Sequence, residues 1–319
     1  MRCNLILIST AILCTVLLSL TGCSTATQVE HTASDLQKHI NYLVETVGPR
    51  PAGSPEEKQA GDYIYDAFAS YGYEQDGFEL KRVSFSIEAP HNLDSENIIA
   101  VKKGRSDQNI VAVVAHYDSM PQTPGARDNA GGTAALLELS KILKDADVDA
   151  ELRFIVLGAE EIGYWGASSY LDALSEAEKD RHIAVYNMDI TIATQGSGSK
   201  LVFNTLGSRT EQGYKEGNFL EPAHNLVSHS VSDAYEKLGY HMEELAGSVH
   251  YGDSDHVSFH QSGIDAANIC WRRVENGTTI LPAEYHLPQD NLESLDYRTL
   301  EITVACIRDA ILGFNQYEE

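Results

Sequence analysis

The 319-residue sequence has few basic residues, and this scarcity narrows the kinds of partner that the protein can have. Lysine and arginine together number 23, against 47 aspartates and glutamates, which gives a formal net charge of −24. Proteins that bind nucleic acid need a basic patch to attract phosphates, and no segment here offers one. The composition therefore predicts that the protein does not bind nucleic acid.

Cysteine is also scarce, and no two cysteines form a Cys-x-x-Cys pair. This absence excludes a zinc site built on paired thiolates. Of the five cysteines, Cys3, Cys14 and Cys23 lie near the N-terminus, which leaves only Cys270 and Cys306 in the rest of the chain. An oxidising compartment would permit a disulfide between these two, and two buried free thiols are an equally good prediction from the sequence.

The longest apolar run lies at the start of the chain and resembles a bacterial lipoprotein signal. A hydrophobic stretch from Leu5 to Leu20 is followed by Gly22 and Cys23, which gives the Leu-x-Gly-Cys pattern of a lipobox. By this resemblance, residues 1–22 are a signal peptide, Cys23 is acylated, and residues 23–32 are a tether. The protein would then be lipid-anchored to a bacterial membrane, in the cell envelope and outside the cytoplasm. An uncleaved anchor helix and a simple secretory signal are the alternatives.

Apolar runs of strand length alternate with helical patterns through residues 33–319. This alternation is typical of an α/β domain with a mostly parallel sheet. No repeat or internal linker divides the region, so we predict one domain, a three-layer sandwich with a mixed, mostly parallel central sheet flanked by helices. The stretch from Phe78 to Lys102 has no helical pattern inside it, which predicts an antiparallel edge. The predicted strands are Phe78–Ile87, Asn97–Lys102, Ile110–Ala115, Leu152–Leu157, Ile183–Asn187, Leu201–Asn204 and Ala266–Cys270.

Helix signals fill the intervals between most of these strands. Ser54 followed by proline and two glutamates predicts a helix start, and Gly72 predicts its end. The glycine-rich and polar stretch Thr194–Gly217 is predicted to be a long surface excursion. The other predicted helices begin at Ser34 or cover Asn129–Leu143, Trp165–Leu174, Leu226–Leu238 and Leu295–Phe314.

The third, fourth and fifth predicted strands are each followed by side chains that can bind metals. In order, these are His116 and Asp118, then Glu160 and Glu161, then Asp189. Because ligands bind at the carboxyl ends of the strands in parallel sheets, we expect these side chains to share one edge. So many like charges are costly unless a cation neutralises them. Histidine nitrogen and carboxylate oxygen suit zinc, so the sequence predicts a metal site.

A further carboxylate, Asp128, lies at the start of the predicted helix Asn129–Leu143 and could bridge two ions. Two metals about 3.5–4 Å apart can hold a water between them and polarise a carbonyl. Gly131 and Gly132 would let the backbone pass close to such a site. A neighbouring glutamate that binds no metal could take the proton of the water. Taken alone, Asp128 could instead be only a helix N-cap.

Taken together, these motifs resemble those of the zinc-dependent aminopeptidases with two co-catalytic metals. The same superfamily includes glutamate carboxypeptidase-like enzymes and glutaminyl cyclases. The resemblance extends from about residue 34 to the C-terminus and implies a phosphorylase/hydrolase-like zinc peptidase fold. The motifs that carry it, in the order and spacing of the family, are His116-Tyr117-Asp118, Asp128-Asn129-Ala130-Gly131-Gly132, Glu160-Glu161 and Asn187-Met188-Asp189.

The resemblance implies a role for each of these side chains. Glu160 would be the general base, and Asp118 would hydrogen-bond the imidazole of His116 and orient it. Two zinc ligand sets would share one bridging carboxylate: His116 and Asp189 for one ion, Glu161 and His286 for the other, and Asp128 for both.

The second histidine ligand is not fixed by spacing alone. His286 in "EYHLPQDN" and His256 in "YGDSDHVSFHQSG" are both candidates. The family places its ligand in a Tyr-His-x-x-x-Asp context, which His286 shares, whereas its Ser-Asp-His segment lines the substrate side. The resemblance therefore implies that His286 binds metal, and we expect Asp255, His256 and Tyr251 to contact substrate.

An aminopeptidase that releases N-terminal residues from peptides is the activity that the resemblance favours, with two Zn²⁺ ions. Glutaminyl cyclases share the pattern from His116 to Ser119, but they use one zinc, and their second motif is Asp-Ser where this chain has Asp128-Asn129. A single-zinc cyclase is the alternative. A catalytically inactive, tethered binding protein is a third possibility, but such a protein would be expected to have lost metal ligands or the base.

Overall fold

The structure, a computed structural model, describes residues 33–205, 225–250, 252–276 and 278–314. A central mixed sheet lies between two groups of helices, so the predicted three-layer α/β fold is confirmed. The strands are β1 (Phe78–Ile87), β2 (Leu93–Lys102), β3 (Ile110–His116), β4 (Glu151–Leu157), β5 (His182–Asn187), β6 (Ala193–Thr194), β7 (Lys200–Thr205), β8 (Leu245–His250), β9 (Ala266–Glu275), β10 (Thr278–Ile280) and β11 (Leu295–Asp296).

The helices connect these strands and cover both faces of the sheet. Two short π-helical turns, Tyr42–Val47 and Ala126–Ala130, extend the first helix and precede the third. The α-helices are α1 (33–41), α2 (Pro55–Tyr71), α3 (Gly131–Leu143), α4 (Trp165–Asp172), α5 (Glu176–Arg181), α6 (Leu226–Lys237), α7 (His256–Gln261) and α8 (Tyr297–Leu312).

The order of the strands in the main sheet places the predicted site. That order is β1-β2-β4-β3-β5-β9-β7-β8, with β10 paired to β9. The four central strands β4, β3, β5 and β9 are parallel to one another, whereas β1 and β2 form the predicted antiparallel edge. Because β3, β4 and β5 run in the same direction, their carboxyl ends meet at one edge of the sheet.

The apolar core lies on both faces of this sheet. Successive strand residues point to opposite faces, so Val113 packs into the cluster beneath α1, α2, α3, α6 and α8, whereas Val114 packs beneath α4 and α7. Every residue of β3 and β4 is buried. Each fully buried aliphatic side chain contributes roughly 1.5–3 kcal/mol, which makes these two strands a rigid support for whatever follows them.

Helix α2 forms for the local reasons that its sequence indicates. The side chain of Ser54 accepts a hydrogen bond from the backbone N–H of Glu57 at 3.0 Å, and Pro55 occupies the first turn. Gly72 ends the helix with a left-handed φ of 95°. The predicted limits of this helix are therefore confirmed.

Two predicted segments differ from the structure. Thr194–Gly217 was predicted to be a surface excursion, but Lys200–Thr205 is strand β7, which pairs with β9 and β8 inside the sheet. The predicted surface excursion is therefore wrong up to Thr205, because β7 lies between two partner strands, whereas the strand predicted at Leu201–Asn204 is confirmed within β7. Residues 206–217 lie outside the described residues. Leu295–Asp296 is strand β11 rather than the start of a helix, so α8 begins at Tyr297.

The cysteines and the leader can be compared only in part with their predictions. Cys270 and Cys306 are both buried free thiols, which is the second of the two alternatives. The predicted signal peptide 1–22, the acylated Cys23 and the tether 23–32 lie outside the described residues. In the ranges that the structure does describe, no helix combines the length and the apolar character needed to cross a membrane.

Two buried histidines should make the fold less stable in mild acid. Burial lowers the pKa of His39 and of His182 from 6.5 to about 4. The ring nitrogens of His39 bond the hydroxyls of Tyr63 and Tyr71 at 2.8 and 2.9 Å. Because the unfolded chain takes up these protons first, the stability that each neutral histidine contributes is complete above pH 6.5 and is lost as the pH falls toward 4.

We expect the loss between pH 7.5 and pH 4.5 to be about 2 kcal/mol for each histidine. Urea denaturation of the wild type and of His39→Gln at both pH values measures it, since the difference between the two proteins cancels the effects of other groups. The variant should have a lower free energy of unfolding than the wild type at pH 7.5, but that free energy should fall less between pH 7.5 and pH 4.5. Equal losses would mean that the folded protein does not keep His39 neutral.

Candidate metal centre

The ends of the parallel strands bring the predicted site residues to one edge of the sheet. His116 is the last residue of β3, Glu160 and Glu161 lie just beyond β4, and Asp189 lies just beyond β5. The backbone of Asp189 is held by the side chain of Asn268, which accepts its N–H at 3.0 Å. The site therefore rests on four neighbouring strands of the sheet, including β9.

Two groups of potential metal ligands share one carboxylate. His116, Asp128 and Asp189 form the first group and Asp128, Glu161 and His286 form the second, with the ligand atoms of each group within 4.8 Å of one another. Asp128 Oδ1 lies 3.1 Å from His116 Nε2, and Asp128 Oδ2 lies 3.3 Å from His286 Nε2. The two oxygens of Asp128 thus face different groups, which is the arrangement of a bridging ligand.

The chemistry of these groups fits a metal. His286 Nε2 lies 3.0 Å from Glu161 Oε2, and His116 Nε2 lies 3.4 Å from Asp189 Oδ1. Yet both Nε2 atoms and the Asp189 oxygen are buried without a hydrogen-bond partner. Buried polar atoms without partners are rare and costly, and a cation would satisfy them. Imidazole nitrogens and carboxylate oxygens together are a donor set that zinc prefers.

The charges of the site shift the pKa values of its members in opposite directions. Burial alone would raise the pKa of Asp128, but the imidazoles of His116 and His286 outweigh it and hold that pKa well below its usual value. The same contacts, from Asp128 and Glu161, raise the pKa of His286 to about 10. The side chain of Asp128 is therefore an anion throughout the physiological range, as a bridging ligand must be.

Glu160 lies beside the two ligand groups and belongs to neither, among the residues that the structure describes. Burial raises the pKa of its carboxyl well above the usual value, His116 opposes this, and the carboxylates of Asp255 and Asp189 add to it. A glutamate with a raised pKa can take up and release a proton near neutral pH. The carboxyl of Glu160 is therefore able to take part in acid–base chemistry.

Asp118 makes different contacts from those predicted. Its Oδ1 lies 3.6 Å from Nδ1 of His116, which is longer than a hydrogen bond. Its carboxylate instead accepts the backbone N–H groups of Glu160 and Glu161 at 3.0 and 3.2 Å. Asp118 therefore fixes the loop that carries both glutamates, and its charge lies next to the imidazole.

The residues predicted to contact substrate have a mixed outcome. Asp255 and His256 are both completely buried. Both oxygens of Asp255 lack a hydrogen-bond partner, and burial raises its pKa to about 8, with His116 lowering it and Asp118 and Asp189 raising it further. Tyr251 lies outside the described residues. Substrate contact by these three residues stays a prediction.

Arg50 supports the site and was not predicted to do so. Its guanidinium is completely buried and donates to the carbonyl oxygens of Tyr117, Pro124 and Gly125 at 2.6, 2.5 and 3.0 Å. These contacts hold the loop between His116 and Asp128. In the sequence, Arg50 is a single arginine within "GPRPAGSPE". The pattern around it does not indicate its role, because its backbone partners lie more than sixty residues away in the chain.

Tyr285 is a second residue of the site that the sequence did not single out. Its ring stacks on that of His286, with 3.7 Å between the centroids. Burial raises the pKa of its hydroxyl well above the usual value, and the carboxylates of Asp128 and Asp189 raise it further. The hydroxyl therefore stays protonated and can donate a hydrogen bond near the ligand groups.

Comparison with known proteins is consistent with this geometry. The profile of peptidase family M28 matches residues 97–311, which include every member of both ligand groups. Aminopeptidase YwaD of Bacillus subtilis is 36% identical over 239 residues, which cover 73% of this chain and 48% of that protein. The chain spans about half the length of the curated relatives that it matches.

Solved structures share the fold. BSAP, a zinc aminopeptidase from Bacillus subtilis, superposes with a TM-score of 0.75 at 24% identity, over 88% of this chain and 94% of that one. A glutaminyl cyclase of Bacteroides thetaiotaomicron superposes with a TM-score of 0.71 at 20% identity, over 88% and 97% of the two chains. With the family profile matched over two thirds of the sequence, the chain belongs to peptidase family M28.

Proposed function

We propose that this protein is a zinc aminopeptidase that uses two metal ions to release N-terminal residues from peptides. The observation that carries the proposal is the position of Asp128, whose two oxygens face two different imidazoles. A single-metal enzyme needs only one of these ligand groups. The family membership and the aminopeptidase relative support the same reaction class.

The two zinc ions would be held by side chains whose buried donor atoms otherwise lack partners. Bound zinc would lower the pKa of a water and polarise the carbonyl of the peptide bond to be cut. The ligands of one ion would be His116, Asp128 and Asp189, and those of the other Asp128, Glu161 and His286.

The remaining residues would move protons and keep the site in shape. Glu160 would take a proton from the attacking water and return it to the leaving amine, for which its raised pKa suits it. Asp118 would hold the Glu160-Glu161 loop through its two backbone hydrogen bonds. The protonated hydroxyl of Tyr285 would donate to the oxygen on which negative charge develops.

We also propose that the enzyme is anchored to a bacterial membrane by a lipid on Cys23 and lies outside the cytoplasm, in the cell envelope. The support is the Leu-x-Gly-Cys pattern at Leu20–Cys23. Replacing Cys23 by alanine should remove the lipid, so that after cell fractionation the protein no longer sediments with the membranes. Equal membrane retention of both forms would contradict acylation of Cys23.

Metal content and hydrolysis, measured on the same protein preparation from Ser24 onward, test the proposed reaction. We expect two zinc equivalents per chain and chelator-sensitive release of amine from a panel of aminoacyl-anilides. N-acetylated forms of the same substrates are the control, because an aminopeptidase requires a free N-terminal amine. Equal cleavage of free and acetylated substrates would contradict the aminopeptidase reaction.

The same assay separates the alternatives. One zinc equivalent and no hydrolysis would favour a glutaminyl cyclase, which shares the fold, and a substrate with N-terminal glutamine would then be tested. No metal after reconstitution would contradict an enzyme of either kind and would favour a tethered binding protein.

A further inference from the structure

His286 differs from the other histidine ligand in how it is supported. His116 ends a strand and is completely buried, whereas His286 lies between β10 and β11, outside any strand or helix. Its side chain is 30% exposed and its backbone has a left-handed φ of 58°. A strand therefore positions His116, but contacts within a loop must position His286.

Asp290 supplies the contacts that tie this loop to the bridging carboxylate. Its side chain is buried, and its Oδ1 accepts the backbone N–H of Arg127 at 2.9 Å, while its Oδ2 accepts the backbone N–H of Asp128 at 3.1 Å. The carbonyl oxygen of Asp290 also accepts the backbone N–H of Ala126 at 3.2 Å. One residue of the His286 loop thus binds three consecutive residues that end at Asp128.

The side chain of Arg127 adds further bonds between the segment that ends at Asp128 and the loop that carries His286. Its Nη1 lies 3.2 Å from Asp290 Oδ1, its Nη2 donates to the carbonyl of Glu293 at 3.0 Å, and its Nε donates to Thr194 at 3.0 Å. The guanidinium is 2% exposed, so these bonds form away from water, where hydrogen bonds to charged groups are strongest. Arg127 therefore binds the loop at Asp290 and at Glu293, and it ties the loop to β6 through Thr194.

We infer that Asp290 is a positioning residue for the second ligand group, and that the spacing of Asp128 and His286 depends on it. The inference rests on the proposed function, which supplies the metal. His116 and Asp189 are placed by β3 and β5 and do not depend on this loop. Loss of the Asp290 carboxylate should therefore weaken the group that contains Glu161 and His286 more than the other.

Zinc titration of the purified full-length protein against a competing chelator tests this, with Asp290→Asn as the variant. An asparagine keeps the size of the side chain but presents an NH₂ group where a second acceptor is needed. We expect the affinity for the second zinc equivalent to fall about 10–100-fold. The affinity for the first should change far less, because His116 and Asp189 stay in place at the ends of β3 and β5. The absorption of the cobalt-loaded variant should change accordingly, which reports on ligand geometry without any substrate.

Glu151→Gln is the matched control. Glu151 is also a buried carboxylate bonded to an arginine, Arg153, at 2.7 Å, but it lies at the opposite end of β4 from the site. This control should bind both zinc equivalents as the wild type does, even where its thermal stability falls as much as that of Asp290→Asn. Arg127→Gln, which keeps both backbone bonds to Asp290, should show the same loss of affinity to a smaller extent and serves where Asp290→Asn does not fold.

The outcomes separate this inference from the proposed function. A wild type that binds fewer than two equivalents would contradict both. A wild type that binds two, with variants that bind both ions normally or that lose both ions equally, would contradict only the role of Asp290. A control that loses the second ion as the variants do would contradict it as well.

Discussion

Replacing Glu160 by glutamine should lower kcat for aminoacyl-anilides by about 10²–10⁴-fold, the usual contribution of a general base. The amide has nearly the shape of the carboxylate but cannot accept the proton of the water. Glu160 belongs to neither ligand group, so both zinc equivalents should remain bound. Steady-state kinetics together with metal analysis of the same preparation measure the two effects.

The neighbouring Glu161→Gln variant is a close control, because it removes the same charge one residue away. Glu161 lies 3.0 Å from His286 Nε2 within the second ligand group, so this variant should lose metal as well as activity. Activity that persists in Glu160→Gln would remove Glu160 as the base. Metal loss in Glu160→Gln equal to that in Glu161→Gln would make it a ligand instead.

The parts of the fold that depend on local patterns could be predicted from the sequence. Strand β3 is a continuous apolar run, and the cap and terminating glycine of α2 are separate local signals that agree. Strand β8 was not predicted, because Leu245–His250 includes a glycine and a serine, which interrupt its apolar pattern. Its partner β7 has a stronger apolar pattern and was predicted. The sequence therefore predicted the sheet as far as β7 and missed the edge strand that follows it.

The same distinction holds for the candidate site. His116 ends β3, and Glu161 and Asp189 lie just beyond β4 and β5. Because these neighbouring strands are parallel, their carboxyl ends bring the three side chains together. Spacing alone does not indicate that His286 meets Asp128, because the contact closes a long stretch of chain through a loop, and only the resemblance of the Tyr-His-x-x-x-Asp context to the family predicted it. Arg50 and Asp290 bind backbone groups far away in sequence, and such contacts leave no periodic pattern in the residues around them.

Replacing His286 by alanine should reduce the metal content from two zinc equivalents to one, whereas His256→Ala should leave two. His286 Nε2 contacts both Asp128 and Glu161, at 3.3 and 3.0 Å, and no other histidine among the described residues joins that group. Mutation of a residue that only supports a ligand typically lowers metal affinity about 10–100-fold. Removing the ligand itself should lower the affinity for the second ion by more than this. Metal analysis after dialysis against a weak chelator measures the loss.

His256→Ala is an informative control because its effect on folding should be the larger one. His256 is completely buried at the start of α7, so alanine leaves an unfilled space and should cost about 1–3 kcal/mol of stability. His286 is partly exposed, so His286→Ala should lose less folding stability than His256→Ala but more bound zinc. Thermal unfolding and metal content should therefore rank the two variants in opposite orders. The reverse ranking would assign the second zinc to His256, and Asp128 would then bridge to the Ser-Asp-His segment instead of the His286 loop.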